Sequence, residues 1–497
     1  MLHAASRAWG ARPLAATAAL GLYAFAPLIA RYHTLGEVFA LYHLVVALVL
    51  WLAADAVPLR GVARAAALGL VAGLGLSNHL TCVLVAPIGL LGIARAARQS
   101  SWPRIVPVAC AGVVVGLLPY LYLLNAPENL MSWRAPRGLG DLLDLFLRRA
   151  YGGPFAFNSA GAHIPASANL LELVHTLSRT WLWLLLAVGI LTLVAEIARP
   201  TVEGRAAWIA LAVSIVLAGP ILATRFDVAL DGIGLWITRR FHLLPALLLV
   251  VPVSLGFERG LRWSLPRMTA RFAEPAVLGV IAALALATTA VTTLPYLARF
   301  QSPAMENEVR NVLASLPPRA VVIGAVNELD VGIRYLQIAR GLRPDDLFFR
   351  WEAMPIDWYR RRLVPFGLAF TPGDGEDYKL RLVDQILASG RPLFTGIGHS
   401  HHLDPLARYP HGVLMRVLPR GEALPSLEHI VALNRELFGR FDLAYPLPGP
   451  DDETATWMHQ NYAGVWRRLG DALARAGQRG PAASAYELAG QLAPRER

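Results

Sequence analysis

Cysteine is almost missing from this chain, with only Cys82 and Cys110 among 497 residues. Both lie inside apolar runs and neither has a Cys-x-x-Cys partner, which argues against a disulfide framework or a thiolate zinc site. They read as small core residues. Lysine is scarcer still: Lys379 stands alone, and arginine carries every other basic charge. With abundant alanine, that bias suggests a GC-rich bacterial genome. Charge of either sign is sparse, at 16% of residues against 55% hydrophobic. Such a chain is too apolar for a soluble enzyme of this length and too charged to be membrane spans alone.

What is present is unevenly spread. Up to about Leu297 apolar runs follow one another; beyond it, acids, prolines and short mixed segments dominate. The composition predicts an α-helical polytopic membrane domain over 1–297, a soluble extracytoplasmic α/β domain over 298–450 and a helical segment over 451–497. The net charge of +11 invites a nucleic-acid reading. Much of the excess sits in short loops between apolar runs, where a positive-inside bias puts it, so nucleic acid is rejected as a partner in favour of the bilayer.

About nine spans are expected. They run roughly Pro13–Ala30, Val38–Ala54, Val62–Ser77, Leu80–Ala94, Ile105–Leu124, Trp181–Ile197, Ala206–Thr224, Phe241–Leu255 and Pro275–Tyr296. Arg7 and Arg12 precede the first. Arg60 and Arg64, then Arg95, Arg98 and Arg104, then Arg199 and Arg205, then Arg259, Arg262, Arg267 and Arg271 occupy every second connection. These belong on the cytoplasmic side of a bacterial inner membrane. The alternate connections and the tail then face outward. The first span lacks a small-residue cleavage site and reads as a true span, not a signal peptide.

In the tail, Ala320–Gly324, Leu347–Phe349 and Pro392–Thr395 suit buried strands. Stretches around Glu308–Leu316, Val331–Arg340 and Leu380–Ala388 suit amphipathic helices. Trp466, Leu469, Gly470, Leu473, Ala482, Tyr486, Ala489 and Pro494 follow the tetratricopeptide pattern of two packed helices. One repeat builds no superhelix, so a TPR-like hairpin docked on the α/β domain is expected, with partner binding as the alternative.

Polar groups interrupt the apolar runs at telling places. Glu37 opens one run and Asn78-His79 closes another. A charge at the centre of a membrane helix costs about 2.5–3.5 kcal/mol, less near the interface, and groups kept at that cost usually face a polar cavity. Both sites fall on the outward side. Each also has a plainer reading: Glu37 as a helix cap favoured by the helix dipole, Asn78-His79 as a turn satisfying its own backbone.

Several motifs together resemble a known family. Gly36-Glu37-Val38-Phe39-Ala40-Leu41 resembles an "EVYAL" signature, and Gly73 to Thr81 a "GL…NHLT" signature. Trp133-Arg134-Ala135-Pro136 with Arg149-Ala150-Tyr151-Gly152 resembles an outer-loop "W-x-x-P … R-x-Y-G" pattern. Arg240-Phe241-His242-Leu243-Leu244-Pro245 is similar to "RFYLLP". In the tail, Leu316 to Ala320, Tyr335-Leu336-Gln337 and Arg343-Pro344-Asp345 resemble "LPPGA … YLQ … RPD". The family is the protein O-mannosyltransferase-like group of GT-C membrane glycosyltransferases, formerly a domain of unknown function.

The resemblance implies transfer of a sugar from a polyprenyl-phosphate donor to an extracytoplasmic acceptor; in vertebrate members the sugar is mannose and the acceptor a protein Ser/Thr hydroxyl. Such chemistry needs a carboxylate to accept a proton and a cation to stabilise the departing phosphate. Glu37 and His79 are the catalytic candidates. Asn78, Arg239, Arg240, Trp133 and Tyr151 are the substrate-binding ones, though Arg239-Arg240 also suits snorkelling, Trp133 an interfacial anchor and Tyr151 loop packing. No cofactor is certain, and a divalent metal is left open. The family's "DSGEF"-like acidic loop lies upstream of the region that Met1 begins, so a fragment, a mis-called start or a natural short form lacking the usual base is expected.

His399-Ser400-His401-His402-Leu403-Asp404 resembles a metallo-β-lactamase ligand motif, but the aspartate comes one residue late and no further ligand set follows, so no metal site is assigned. The rival reading is a non-enzymatic membrane scaffold that binds a periplasmic partner through its tail. A transporter is a distant third, because no Gly/Pro-interrupted spans recur in corresponding halves.

Overall fold

The computed structural model describes all residues except 127–135, 150–162, 231, 265–272, 301, 325–326, 352–353, 355–356, 362, 369–376, 397–402, 404, 450–451 and 496–497. Contacts gather the chain into two compact units, one running to Phe300 and one beginning at Gln301.

The first unit is helical. Its helices are α1 (Leu2–Ala8), α2 (Pro13–Phe25), α3 (Pro27–Thr34), α4 (Phe39–Ala53), α5 (Gly61–Asn78), α6 (Ala86–Ala97), α7 (Trp102–Leu117), α8 (Leu139–Phe146), α9 (Ala166–Ala198), α10 (Arg205–Val216), α11 (Gly232–Phe241), α12 (Leu243–Leu248), α13 (Val250–Ser264) and α14 (Ala273–Phe300). Short 3₁₀ turns precede α6 (Leu80–Val85) and follow α7 (Leu118–Leu124).

Among the described residues four helical stretches are long and apolar enough to cross a membrane: Gly61–Asn78, Leu80–Ala97, Trp102–Leu124 and Ala166–Ala198. Two bent pairs, α2 with α3 at 69° and Gly234–Leu248 with Val250–Gly260 at 50°, raise this to six if each is one span. The nine expected spans therefore become four to six by length. Phe39–Ala53 and Arg205–Ile221 are apolar but 10–17 residues long, short of the roughly 20 that hydrocarbon requires; Ala282–Ala298 is the apolar part of the 28-residue α14. Pro27 explains one bend: it starts α3 after an extended Ala26, where a proline cannot continue the preceding helix. The span expected from Trp181 is the second part of a helical stretch that begins at Ala166 and breaks its helical angles at Leu182. Val114 and Val115 on α7 and Trp183, Leu184 and Leu191 on α9 stay exposed. Long apolar helices with uncovered apolar faces are those of a membrane protein.

Glycine sets the tightest packing. A Cβ at Gly73 of α5 would meet Val113 O at 2.2 Å, and one at Gly116 of α7 would meet Leu70 O at 2.4 Å. The two helices touch backbone to backbone, as small residues permit in bilayers.

The two ends of this unit differ. At one, Arg95 donates to Ala53 O and pairs with Glu203 (both 2.5 Å) and Asp55 (3.1 Å). Arg12 pairs with Glu258 at 3.1 Å, and Arg259 pairs with Glu196. Connections expected on the cytoplasmic side are thus tied together, at the C-terminal ends of α4 and α9. The N-terminal ends of those helices carry the polar groups described below.

The second unit is a three-layer α/β arrangement built from α15 (Ala304–Ser315), β1 (Val321–Ile323), α16 (Asn327–Arg340), β2 (Leu347–Phe349), α17 (Asp357–Arg361), α18 (Asp377–Ala388), β3 (Leu393–Gly396), β4 (Arg408–His411), β5 (Leu414–Val417), α19 (Leu427–Arg440), α20 (Glu453–Arg475) and α21 (Arg479–Leu492). The mixed sheet has the order β2-β1-β3-β5-β4. β1 is parallel to β2 and β3, while β5 is antiparallel to β3 and β4. Alternation sorts the faces: Val321, Ile323, Leu347 and Phe349 pack with Leu382, Val383 and Ile386 of α18. Val322, Phe348 and Phe394 pack with Val309 and Val312 of α15 and Ile333 of α16. α20 and α21 form a helical hairpin in the same unit, with Trp466, Leu469 and Leu473 against Ala482, Ala485 and Ala489.

Candidate functional site

Glu37 lies in the short link between α3 and α4, and Arg240 in the last turn of α11. Arg240 Nη1 stands 3.7 Å from Glu37 Oε1, with the two side chains 24% and 23% exposed, so both can reach a ligand. The guanidinium also lies over the Trp236 ring at 4.8 Å and the Phe241 ring at 5.7 Å. Tyr32 positions that tryptophan by donating its hydroxyl to Trp236 O at 2.6 Å. Arg240 Nε is buried without an acceptor among the described residues, an expensive state for a donor.

α5 delivers the next two groups. Asn78 ends that helix and donates from Nδ2 to Val38 O at 3.2 Å, beside Glu37. His79 leaves the helix in an extended conformation; its Nδ1 accepts from Thr81 N–H and lies 2.6 Å from Thr81 Oγ1. Its ring rests 5.4 Å from Phe39, 5.7 Å from Tyr42 and 5.9 Å from Phe241. Phe39 and Phe241 also touch each other at 6.1 Å. One aromatic floor thus carries His79 on one side and Arg240 on the other. The positive field of Arg148 reaches both.

No protein-family model, curated protein or solved structure matches this chain.

The structure brings Glu37, Asn78, His79 and Arg240 together and leaves Arg239 out. Arg239 turns its Nε to Glu172 Oε1 of α9 at 2.8 Å. Thr176 also donates to that oxygen, at 3.2 Å, and His242 Nδ1 lies 3.1 Å from Thr176 Oγ1. His175 Nδ1 is 3.5 Å from Glu172 Oε2. Arg239 is therefore neutralised by a carboxylate of its own. Trp133, Tyr151 and the His399–Asp404 motif, apart from Leu403, lie outside the described residues.

Sequence reasoning missed Glu172, Trp236 and Arg148. A usable signal existed for Glu172: like Glu37, it is a lone acid in an apolar run, Leu170-Leu171-Glu172-Leu173-Val174. That stretch falls in the connection between the expected spans that end at Leu124 and begin at Trp181. Trp236 and Arg148 carry no local signal. Among the described residues no cluster of three or more His, Cys, Asp or Glu could hold a metal. What the site offers is a carboxylate, a guanidinium with an unused donor and an aromatic floor. Those groups suit an anion held beside a hydroxyl that must lose its proton.

Proposed function

We propose that this protein is a GT-C-like glycosyltransferase of the protein O-mannosyltransferase-like group. It transfers a sugar from a polyprenyl-phosphate donor to an extracytoplasmic hydroxyl, a protein Ser/Thr being the acceptor the resemblance favours. One observation carries the reading: Glu37, Asn78, His79 and Arg240, from three separate stretches of the chain, converge at one end of the apolar helical unit. Three of the sequence motifs that suggested the family, those around Glu37, Asn78-His79 and Arg240, meet there.

In this reading the donor phosphate binds Arg240, including its unfilled Nε, and displaces Glu37 from the 3.7 Å contact. The acceptor hydroxyl attacks the anomeric carbon, and the bond from that carbon to the phosphate oxygen breaks. Glu37 takes the hydroxyl proton, and Arg240 stabilises the charge on the departing lipid phosphate. Asn78 and His79 line the sugar side. The arginine-tied end faces the cytoplasm of a bacterial inner membrane, and the α/β unit with its single TPR-like hairpin lies outside.

The experiment is transfer from radiolabelled polyprenyl-phosphate sugars in proteoliposomes. Glu37→Gln and Arg240→Ala each abolish transfer while membrane insertion persists. Normal transfer by both variants would sink the assignment.

A further inference from the structure

α9 grips the segment that carries Arg240 by residues on both sides of it. Pro245 of α12 has no N–H for Phe241 O, so the helical ladder weakens where α11 gives way to α12 at His242. Side chains of α9 reach that junction. Glu172 Oε1 accepts from Arg239 Nε at 2.8 Å, Thr176 Oγ1 lies 3.1 Å from His242 Nδ1, and Trp181 Nε1 donates to Ala246 O at 3.1 Å.

Glu172 and Thr176 stand one turn apart and share a face of α9. They meet Arg239 and His242 in the same order along both segments. Thr176 also donates to Glu172 Oε1 at 3.2 Å, and its oxygen is then left to accept the Nδ1 proton of His242. One hydrogen-bonded chain thus runs from Arg239 to His242. Thr176, Trp181, His242 and Ala246 are all buried. At the other end of the turn, Tyr32 donates to Trp236 O at 2.6 Å.

Arg240, between these anchors, is held far more loosely. Its ion pair with Glu37 spans 3.7 Å, and its Nε has no hydrogen-bond partner among the described residues. It lies over the rings of Trp236 and Phe241, which fix a plane but not a point. A guanidinium on a long stem with such contacts goes where its backbone presents it.

We propose that Glu172 is a positioning residue for Arg240. By holding Arg239 it sets the turn of α11 that offers the Arg240 guanidinium to an anionic phosphate. It acts through the helix and not by touching the ligand. The proposal rests on the lipid-phosphate reading of Arg240, and it adds a role for an acid that none of the family-like motifs contains.

The probes are farnesyl phosphate and farnesol, which share a prenyl chain and differ in the phosphate. Their affinities for the full chain in detergent micelles are compared by microscale thermophoresis. The parent prefers the phosphate by about tenfold or more, as one charge-assisted contact provides. Glu172→Gln, which keeps the shape and loses the charge, cuts that preference by about fivefold or more, and Glu172→Asp retains part of it. Arg239→Gln reaches the same contact from the other side and gives the same loss, so the test survives if one variant does not fold. Farnesol affinity stays at the parent value throughout, which a general loss of structure would not leave. On an Arg240→Ala background Glu172→Gln changes nothing further, as expected of residues that act as a unit. A parent-like preference in both Glu172→Gln and Arg239→Gln, or an equal further loss on the Arg240→Ala background, overturns the proposal. No preference in the parent, or an undiminished one in Arg240→Ala, removes the phosphate reading itself and the proposal with it.

Discussion

Arg239 and Arg240 are neighbours in the chain, yet each faces a different carboxylate: Arg239 meets Glu172 at 2.8 Å and Arg240 meets Glu37 at 3.7 Å. Successive helical residues point about 100° apart, so α11 divides one basic pair between two tasks. The first contact has hydrogen-bond geometry and a supporting threonine. The second is long, with both side chains partly exposed, as suits a group that exchanges partners.

The two pairs should therefore differ in stability cost. Arg239→Ala is expected to destabilise the protein by about 2 kcal/mol, the range for a hydrogen bond to a charged partner. Arg240→Ala should cost under about 1 kcal/mol, as partly exposed ion pairs do. Thermal unfolding in detergent checks the order. An Arg240 variant less stable than the Arg239 variant would contradict it.

Close approach of α5 and α7 has no room for a side chain. Gly73→Leu should cost about 3 kcal/mol or more, because the obstacle is backbone and cannot rotate away. Gly36→Ala, with nothing within 4 Å of its added Cβ, should be neutral. Yield and melting temperature of the purified protein decide this. A Gly73→Leu protein as stable as the parent would mean that the helices part readily.

In the second unit Glu308 of α15 is 2% exposed, and its Oε2 has no hydrogen-bond partner among the described residues. Burial pushes this carboxyl up from 4.5 to about 8. The folded value lies above the unfolded one, so the folded state holds the extra proton between them. Stability is fully present below about pH 4.5 and falls as pH rises towards 8, by about 1.4 kcal/mol per pH unit in mid-range. Glu308→Gln should flatten that dependence. Unfolding followed by tryptophan fluorescence from pH 5 to 9 is the measurement, and an unchanged slope in the variant counts against it.

The β4–β5 hairpin turns at Gly412, whose φ is +61°. Buried Asn434 of α19 holds the turn, accepting from Gly412 N–H at 2.9 Å and donating to Pro410 O at 2.8 Å. Asn434→Ala should cost about 1–3 kcal/mol, because a buried amide and carbonyl lose their partner. Gly412→Val should also destabilise, since a β-branched residue resists positive φ. Urea melts of both variants test this; parent-like midpoints would show that the turn stands without them.

Much of the second unit was legible from local pattern. β1, β2 and β3 appear as short apolar runs because both of their faces are buried, and α15, α16 and α18 as amphipathic stretches because only one face is. β4 and β5 were not foreseen. Arg408–His411 is polar and half-buried, and its strand conformation comes from pairing with β5 and from the turn at Gly412. In the helical unit the apolar runs announced helices but not the number of membrane crossings, which depends on breaks such as the one at Pro27.

The amino-acid order alone determined which segments avoid water and where Glu37, Asn78 and His79 interrupt them, because burial and desolvation act residue by residue. Only the tertiary structure decided that Arg240 rather than Arg239 meets Glu37 and that Glu172 is a carboxylate of the helical unit. Those pairings depend on helix phase and on contacts between residues as far as 203 positions apart (240 − 37), which no local pattern encodes.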